Sequence, residues 1–168
     1  MSGAATAAGS DLNELPLVSE LPVEHLVDFS IELASAEVIP TPVGLRYTLI
    51  VISGRFEGPK LKGEFLPGGG DWILFGTDGI GRLDVRATMR TEDGALIHLT
   101  CGGACRIPAD AQERLDAGEG IPFAESYIRS TQKFETGDER YTWLNEAITV
   151  GYNEFSPGHI DYRIYKVL

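Results

Sequence analysis

The residues best suited to chemistry follow a glycine corner, Pro67-Gly68-Gly69-Gly70-Asp71-Trp72. Consecutive glycines let a backbone take positive φ and approach a neighbouring strand or ligand closely. The corner lacks the G-K-[ST] of a phosphate loop and no helical pattern follows it, so it is not a nucleotide cradle. It presents Asp71, an acid–base group, beside the flat apolar wall of Trp72. A carboxylate in a partly desolvated pocket has its pKa pushed toward neutrality, which suits Asp71 to general acid–base catalysis.

A second group lies on the alternating run Leu83–Arg90. Leu83, Val85, Ala87 and Met89 share one face; Asp84, Arg86, Thr88 and Arg90 share the other. Glu92-Asp93-Gly94 fits a type I turn followed by a left-handed glycine, a three-residue hairpin with a bulge. That loop predicts Ala87 opposite Leu99, Met89 opposite Ile97, Arg86 opposite Thr100 and Thr88 opposite His98. A two-residue Asp-Gly loop would mix the faces, so the longer loop is preferred. A polar stripe of this kind faces water in most antiparallel sheets. Turned into a lumen, Arg86 would clamp a carboxylate or stabilise an enolate, with Asp84 and Thr88 beside it.

Later strands add Tyr127, Arg129 and Thr131 on one face, and Tyr141, Trp143 and Asn145 on another. In this reading Trp72 and Trp143 sandwich an apolar ligand and Asn145 orients a polar substituent. His25, His98 and His159 are far apart in sequence, and Cys101 and Cys105 have C-x3-C spacing that matches no standard zinc motif, so no metal is expected. No nucleophile elbow and no dinucleotide fingerprint is present, and no cofactor is expected.

The elements that must hold these residues read as strands. Val27–Leu33, Leu45–Ile52, Lys60–Leu66, Trp72–Phe75, Leu83–Arg90, Ala124–Phe134, Tyr141–Tyr152 and Ile160–Val167 are β-patterned, and Pro40-Thr41-Pro42 reads as a break. Ala109–Ala117 is the one helix, stopped by Gly118 and Gly120. Without a long crossover, such a pattern predicts a closed antiparallel β-barrel of about nine or ten strands with one short helix, which leaves no sheet edge exposed. Residues 1–22 are rich in Ala, Gly, Ser and acids and read as a flexible arm ahead of a single domain, 23–168.

The chain has 168 residues and a net charge of −11, which repels phosphate backbones and anionic lipid and argues against nucleic-acid and membrane partners. The first residues show no secretory pattern, and no apolar run approaches the ~18 residues of a membrane span, so a cytoplasmic protein is expected.

The strings GRFEGPKLKGEFLPGGGDW, LDVRATMRTEDGALI and YIRSTQKFETGDERYTWLNEAITVG, with the closing IDYRIYKVL, resemble the bacterial and fungal family called domain of unknown function 3237. The resemblance spans Glu24–Leu168 and implies a closed β-barrel with an internal cavity, often a homodimer, with no settled reaction. Ala87 departs from it, since the family pattern leads one to expect a tyrosine there. The resulting expectation is a cofactor-free enzyme (lyase, isomerase, cyclase or hydrolase) acting on a small carbonyl or aromatic compound in the barrel. Asp71 and Arg86 would be catalytic. The alternative is a non-catalytic carrier or sensor with a lipocalin-like pocket.

Overall fold

The computed structural model describes residues 17–168, which form eleven strands, one short helix and two 3-10 turns. The strands are β1 (Val23–Leu33), β2 (Glu37–Thr41), β3 (Gly44–Glu57), β4 (Lys62–Phe65), β5 (Gly70–Asp71), β6 (Leu74–Gly76), β7 (Gly81–Thr91), β8 (Leu96–Arg106), β9 (Tyr127–Glu135), β10 (Thr149–Ser156) and β11 (His159–Val167). Helix α1 spans Ala111–Asp116. Every pairing is antiparallel. The order runs β1-β11-β10-β9-β8-β7, then β4, β5 and β6 in turn along one shared position, then β3, and β3 pairs back onto β1. The result is a closed eight-stranded barrel. Strand β2 lies outside the ring, running along the first part of β3 where β1 no longer reaches.

The β7–β8 hairpin has the register expected from its turn: Ala87 faces Leu99, Met89 faces Ile97, Arg86 faces Thr100 and Thr88 faces His98. Gly94 takes φ +89° in that turn, a conformation that L side chains rarely adopt. Strand β8 extends past these pairs to Arg106, so both cysteines lie on one strand.

Two departures from the sequence expectation matter. Pro40 does not end strand structure: it sits within β2, at the sheet's open edge, where a missing N–H breaks no ladder. Tyr141–Tyr152 is not one strand. Thr142–Leu144 is a 3-10 turn and β10 starts only at Thr149. Leu144 and Ala147 are buried three residues apart while Tyr141 and Trp143 pack on the main core, a helical spacing that closes one barrel end. The expected arm falls mostly on residues 1–16, outside the described residues.

Inward residues divide the barrel into two halves. One half is solid: Val27, Phe29, Phe56, Phe65, Met89, Ile97, Leu99, Phe134 and Ile164 form one buried cluster under the Trp143 turn. Phe29 meets Phe65 at 4.9 Å and Phe56 at 6.4 Å, both edge-to-face, contacts worth about 0.5–1.5 kcal/mol each beyond burial.

The other half is held by a smaller cluster around Ile73, Cys105 and Ile128. There the inward-pairing Tyr47, Leu49, Asp71, Leu83, Val85 and Phe155 are only half-buried, so this end of the lumen is open. Val38 and Leu45, 47% and 41% exposed, extend an apolar lip from β2 and β3 beyond Tyr47.

The glycine corner inserts β5 between β3 and β7. A Cβ on Gly69 would lie 2.6 Å from the Arg86 carbonyl oxygen and 2.8 Å from the Ala87 Cα, both backbone atoms that cannot turn aside. Gly69→Ala is therefore expected to lower unfolding free energy by about 2–4 kcal/mol, read as a lower denaturant midpoint at unchanged slope. Gly68→Ala has open space but a φ of +103° and should cost about 1 kcal/mol.

Candidate functional site

Asp71 pairs with Val85 on β7 and Leu49 on β3, both of the inward-facing set, and so projects into the open half of the barrel. Its Oδ1 accepts the Asp84 backbone N–H at 2.9 Å, while Oδ2 has no hydrogen-bond partner among the described residues. Burial raises the Asp71 pKa from 3.8 to about 6; the Asp84 N–H works against that rise and the nearby Asp84 carboxylate adds to it. Asp71 therefore exchanges a proton near neutral pH from a fixed position with one oxygen free.

Around it the lumen is polar where β8 to β11 form the wall. Cys101, Ser130, Gln132, Thr149, Asn153 and Tyr162 all point inward and are buried. Gln132 is 2% exposed and fully engaged: Nε2 donates to Ser130 Oγ at 2.8 Å and to Cys101 Sγ at 3.6 Å, and Oε1 accepts from Thr149 Oγ1 at 3.0 Å. Gly151 makes room for that amide, since a Cβ there would lie 2.9 Å from Nε2. Asn153, also 2% exposed, is the opposite case: neither Nδ2 nor Oδ1 has a well-formed hydrogen bond, although the Tyr162 hydroxyl lies beside it. Burial holds the Cys101 and Cys105 thiols up at about 12 and Tyr162 well above the usual phenol range; the Asp71 charge contributes to all three shifts. These cysteines are protonated, unreactive lining groups.

The expected polar stripe does not join this site. Asp84, Arg86 and Thr88 lie on the outer face, because Ala87 and Met89 of the alternate set belong to the core. Arg86 forms a 2.9 Å ion pair with Asp84, the side chains 55% and 51% exposed, and cannot clamp a ligand in the lumen. Tyr127 and Arg129 are likewise outside: the Arg129 guanidinium sits 4.5 Å from the Phe123 ring centroid and 4.9 Å from that of Tyr127.

Trp72 follows Asp71 on the opposite parity and belongs to neither core cluster, whereas Trp143 packs on the closed end, so the two tryptophans do not form a sandwich. Asn145 uses its amide on the Thr136 backbone, accepting from N–H and donating to C=O at 2.9 Å each; it ties a loop. Of the expected site residues, Asp71 alone lies in the lumen.

Ser130, Gln132, Asn153 and Tyr162 are the lumen groups that the motif reading passed over. The available signal was parity: Ser130 and Gln132 alternate with Arg129 and Thr131 and are flanked by Ile128 and Phe134, which marks theirs as the inward face. No group of three or more potential metal ligands occurs among the described residues, and no helix there is long and apolar enough to cross a membrane. A concavity of about 970 Å³ is lined by Asp28, Arg55, Tyr152 and Arg163 together with Phe29, Asn153 and Tyr162. It does not include Asp71.

These features define the class of closed antiparallel β-barrels. Within it, the chain belongs to the family described as Protein of unknown function (DUF3237), whose model matches residues 21–167. A UPF0311 protein of Clostridium acetobutylicum is 31% identical over 125 residues, 74% of this chain and 79% of that protein. A crystal structure from Rhodopseudomonas palustris, described as a conserved protein of unknown function, superposes with TM-score 0.83 at 22% identity, covering 90% of this chain and all of that one. Another, from Penicillium herquei and described as an enzyme, gives TM-score 0.64 at 20% identity, covering 92% of this chain and all of that one.

Asp71 makes stability depend on pH with a definite sign. Its folded pKa of about 6 exceeds the unfolded 3.8, so between these values the folded state binds more protons and stability falls as pH rises. Asp71→Asn should therefore be more stable than the wild type by about 2 kcal/mol at about pH 8. The gain should vanish by about pH 3.5, as read from denaturant midpoints across the range.

Proposed function

We propose that the protein is a cofactor-independent acid–base catalyst acting on a small carbonyl or aromatic compound held in the open half of the barrel. The observation that supports it is Asp71: an inward carboxylate with a pKa of about 6, one oxygen fixed by a backbone N–H and the other free. A base poised near the working pH combines a populated deprotonated form with useful proton affinity. In this reading Oδ2 of Asp71 takes a proton from a carbon next to a carbonyl, or from a phenolic oxygen. The electron pair moves onto the substrate oxygen, and Asp71 returns the proton at a second position or to a leaving group. Isomerisation, elimination and ring closure all use this step. The apolar lip of Val38, Leu45 and Tyr47 would hold the substrate body at the entrance.

Arg86 has no part in this chemistry, since it points to solvent. With a substrate identified by product-detecting mass spectrometry over a panel of ketones and phenols, Asp71→Asn should lower kcat by at least ~10²-fold while binding persists. Arg86→Ala should leave both within about twofold. In the wild type, kcat/KM should fall on the acid side with an apparent pKa of about 6. Unchanged turnover in Asp71→Asn would overturn the assignment. Ligand uptake with no product from any panel member would instead make the barrel a carrier.

A further inference from the structure

We infer that the substrate enters the open half of the barrel uncharged, and that Asp71 is the specificity-determining residue that turns ionised carboxylic acids away. This rests on the proposed function and names the substrate class for the same lumen.

Among the described residues, the inward rows of this half hold one charged side chain, Asp71. The cations of the surrounding strands all lie outside. Arg46, Arg82, Arg86, Arg106, Arg129 and His159 each alternate with an inward residue and so project from the outer face. The connections between strands at this end add Arg114 alone, and Glu119 and Glu125 hold it in ion pairs. Asp110, Glu113 and Asp116 of the same connection leave its charge negative. A carboxylate entering here would stand near the Asp71 charge in a desolvated setting, with no cation to compensate either.

The same charge pattern suits the proton transfer. An uncharged substrate gives a C–H or O–H proton to Oδ2 of Asp71 and keeps the electron pair on its own oxygen. Asp71 becomes neutral as the substrate becomes an anion, so the lumen holds one negative charge before and after the step. An ionised acid would make that two at both stages. An organic cation would pair with Asp71 and hold it ionised, which removes its affinity for the proton. An uncharged ketone or phenol fits both constraints.

Other ionisable groups near Asp71 do not change this balance. Burial keeps Cys101 and Cys105 on β8 and Tyr162 on β11 protonated. Tyr47 on β3 is a phenol, and the Asp84 carboxylate of β7 lies outside in its ion pair with Arg86. Lowering the pH through about 6 therefore neutralises the lumen at Asp71, and the exclusion of acids should lapse with it.

The test uses the full chain and two probes of one shape, 1-phenylpropane-1,2-dione and phenylglyoxylate, in which a methyl group and a carboxylate oxygen exchange places. Calorimetric titration at about pH 8 should show the wild type binding phenylglyoxylate at least ~10-fold more weakly than the dione. At about pH 5 the two should agree within ~3-fold. In Asp71→Asn they should agree within ~3-fold at both pH values. Equal binding to the wild type at pH 8, a gap unchanged at pH 5, or a gap that survives in Asp71→Asn would each overturn the inference. So would absence of dione binding, or tighter binding of phenyltrimethylammonium than of the dione, which would mark a cation site. Because every readout is binding, failure here is distinct from failure of Asp71 as the base, which is seen only in turnover.

Discussion

The double pairing of β1 is the constraint from which the rest follows. One strand hydrogen-bonds to the last strand on one side and to β3 on the other, so the sheet has no free choice of curvature: it must return to where it began. Closure fixes which residue of each strand points inward. Once Val27, Phe29 and Ile31 face the axis, Ile164 and Tyr162 must do so on β11, Gly151 and Asn153 on β10, and so on round to Phe56. The bidentate contact of Arg163 with Asp28, at 2.9 and 2.7 Å, lies across the same seam, but it is half-exposed and adds little to the pairing itself. The seam is held chiefly by the aromatic cluster beneath it.

Closure also explains why Asp71 is unusual. The ring position shared by β4, β5 and β6 is filled by three short strands rather than one, and the glycine corner brings the two-residue β5 against both neighbours. A carboxylate placed there cannot swing out to bulk water without breaking the Asp84 N–H contact and the pairings on each side. Its raised pKa is a consequence of being built into the wall. The fold tolerates an ionisable group whose charged form is disfavoured, a burden that structural positions seldom carry.

Much of this was legible in the amino-acid order, and the exceptions have physical causes. The hairpin register could be read because turn chemistry and facial coherence gave the same answer at Ala87, Leu99, Met89 and Ile97. Asp71 could be picked out because the residues before it permit close backbone approach. Alternation along β7 separates two faces without saying which one looks inward, so the expected role of Arg86 rested on its chemistry alone. Half of this lumen is solid apolar core, and Ala87 and Met89 there settle the parity for the entire strand. Trp143 and Asn145 were misassigned because a β-rich composition hides a single helical turn, whose only trace is the spacing of Tyr141, Leu144 and Ala147. Asn153 carried no local signal at all. Its burial beside the Tyr162 hydroxyl is a property of the closed ring, visible only when β10 is set beside β11 and β9.

The split between a solid half and a hollow half has a consequence for how such a barrel diversifies. Folding free energy is concentrated among the phenylalanines and aliphatics of one end, while the groups that would meet a small molecule line the other. Leu49, Leu83 and Val85 can exchange for residues of other sizes with little disturbance to the seam or the aromatic cluster. The scaffold thus permits drift at that end without a matching drift in foldedness. Related chains can then share one architecture while differing in the chemistry of the half-buried end, and a common outline predicts less about that end than the identity of a few residues at the rim.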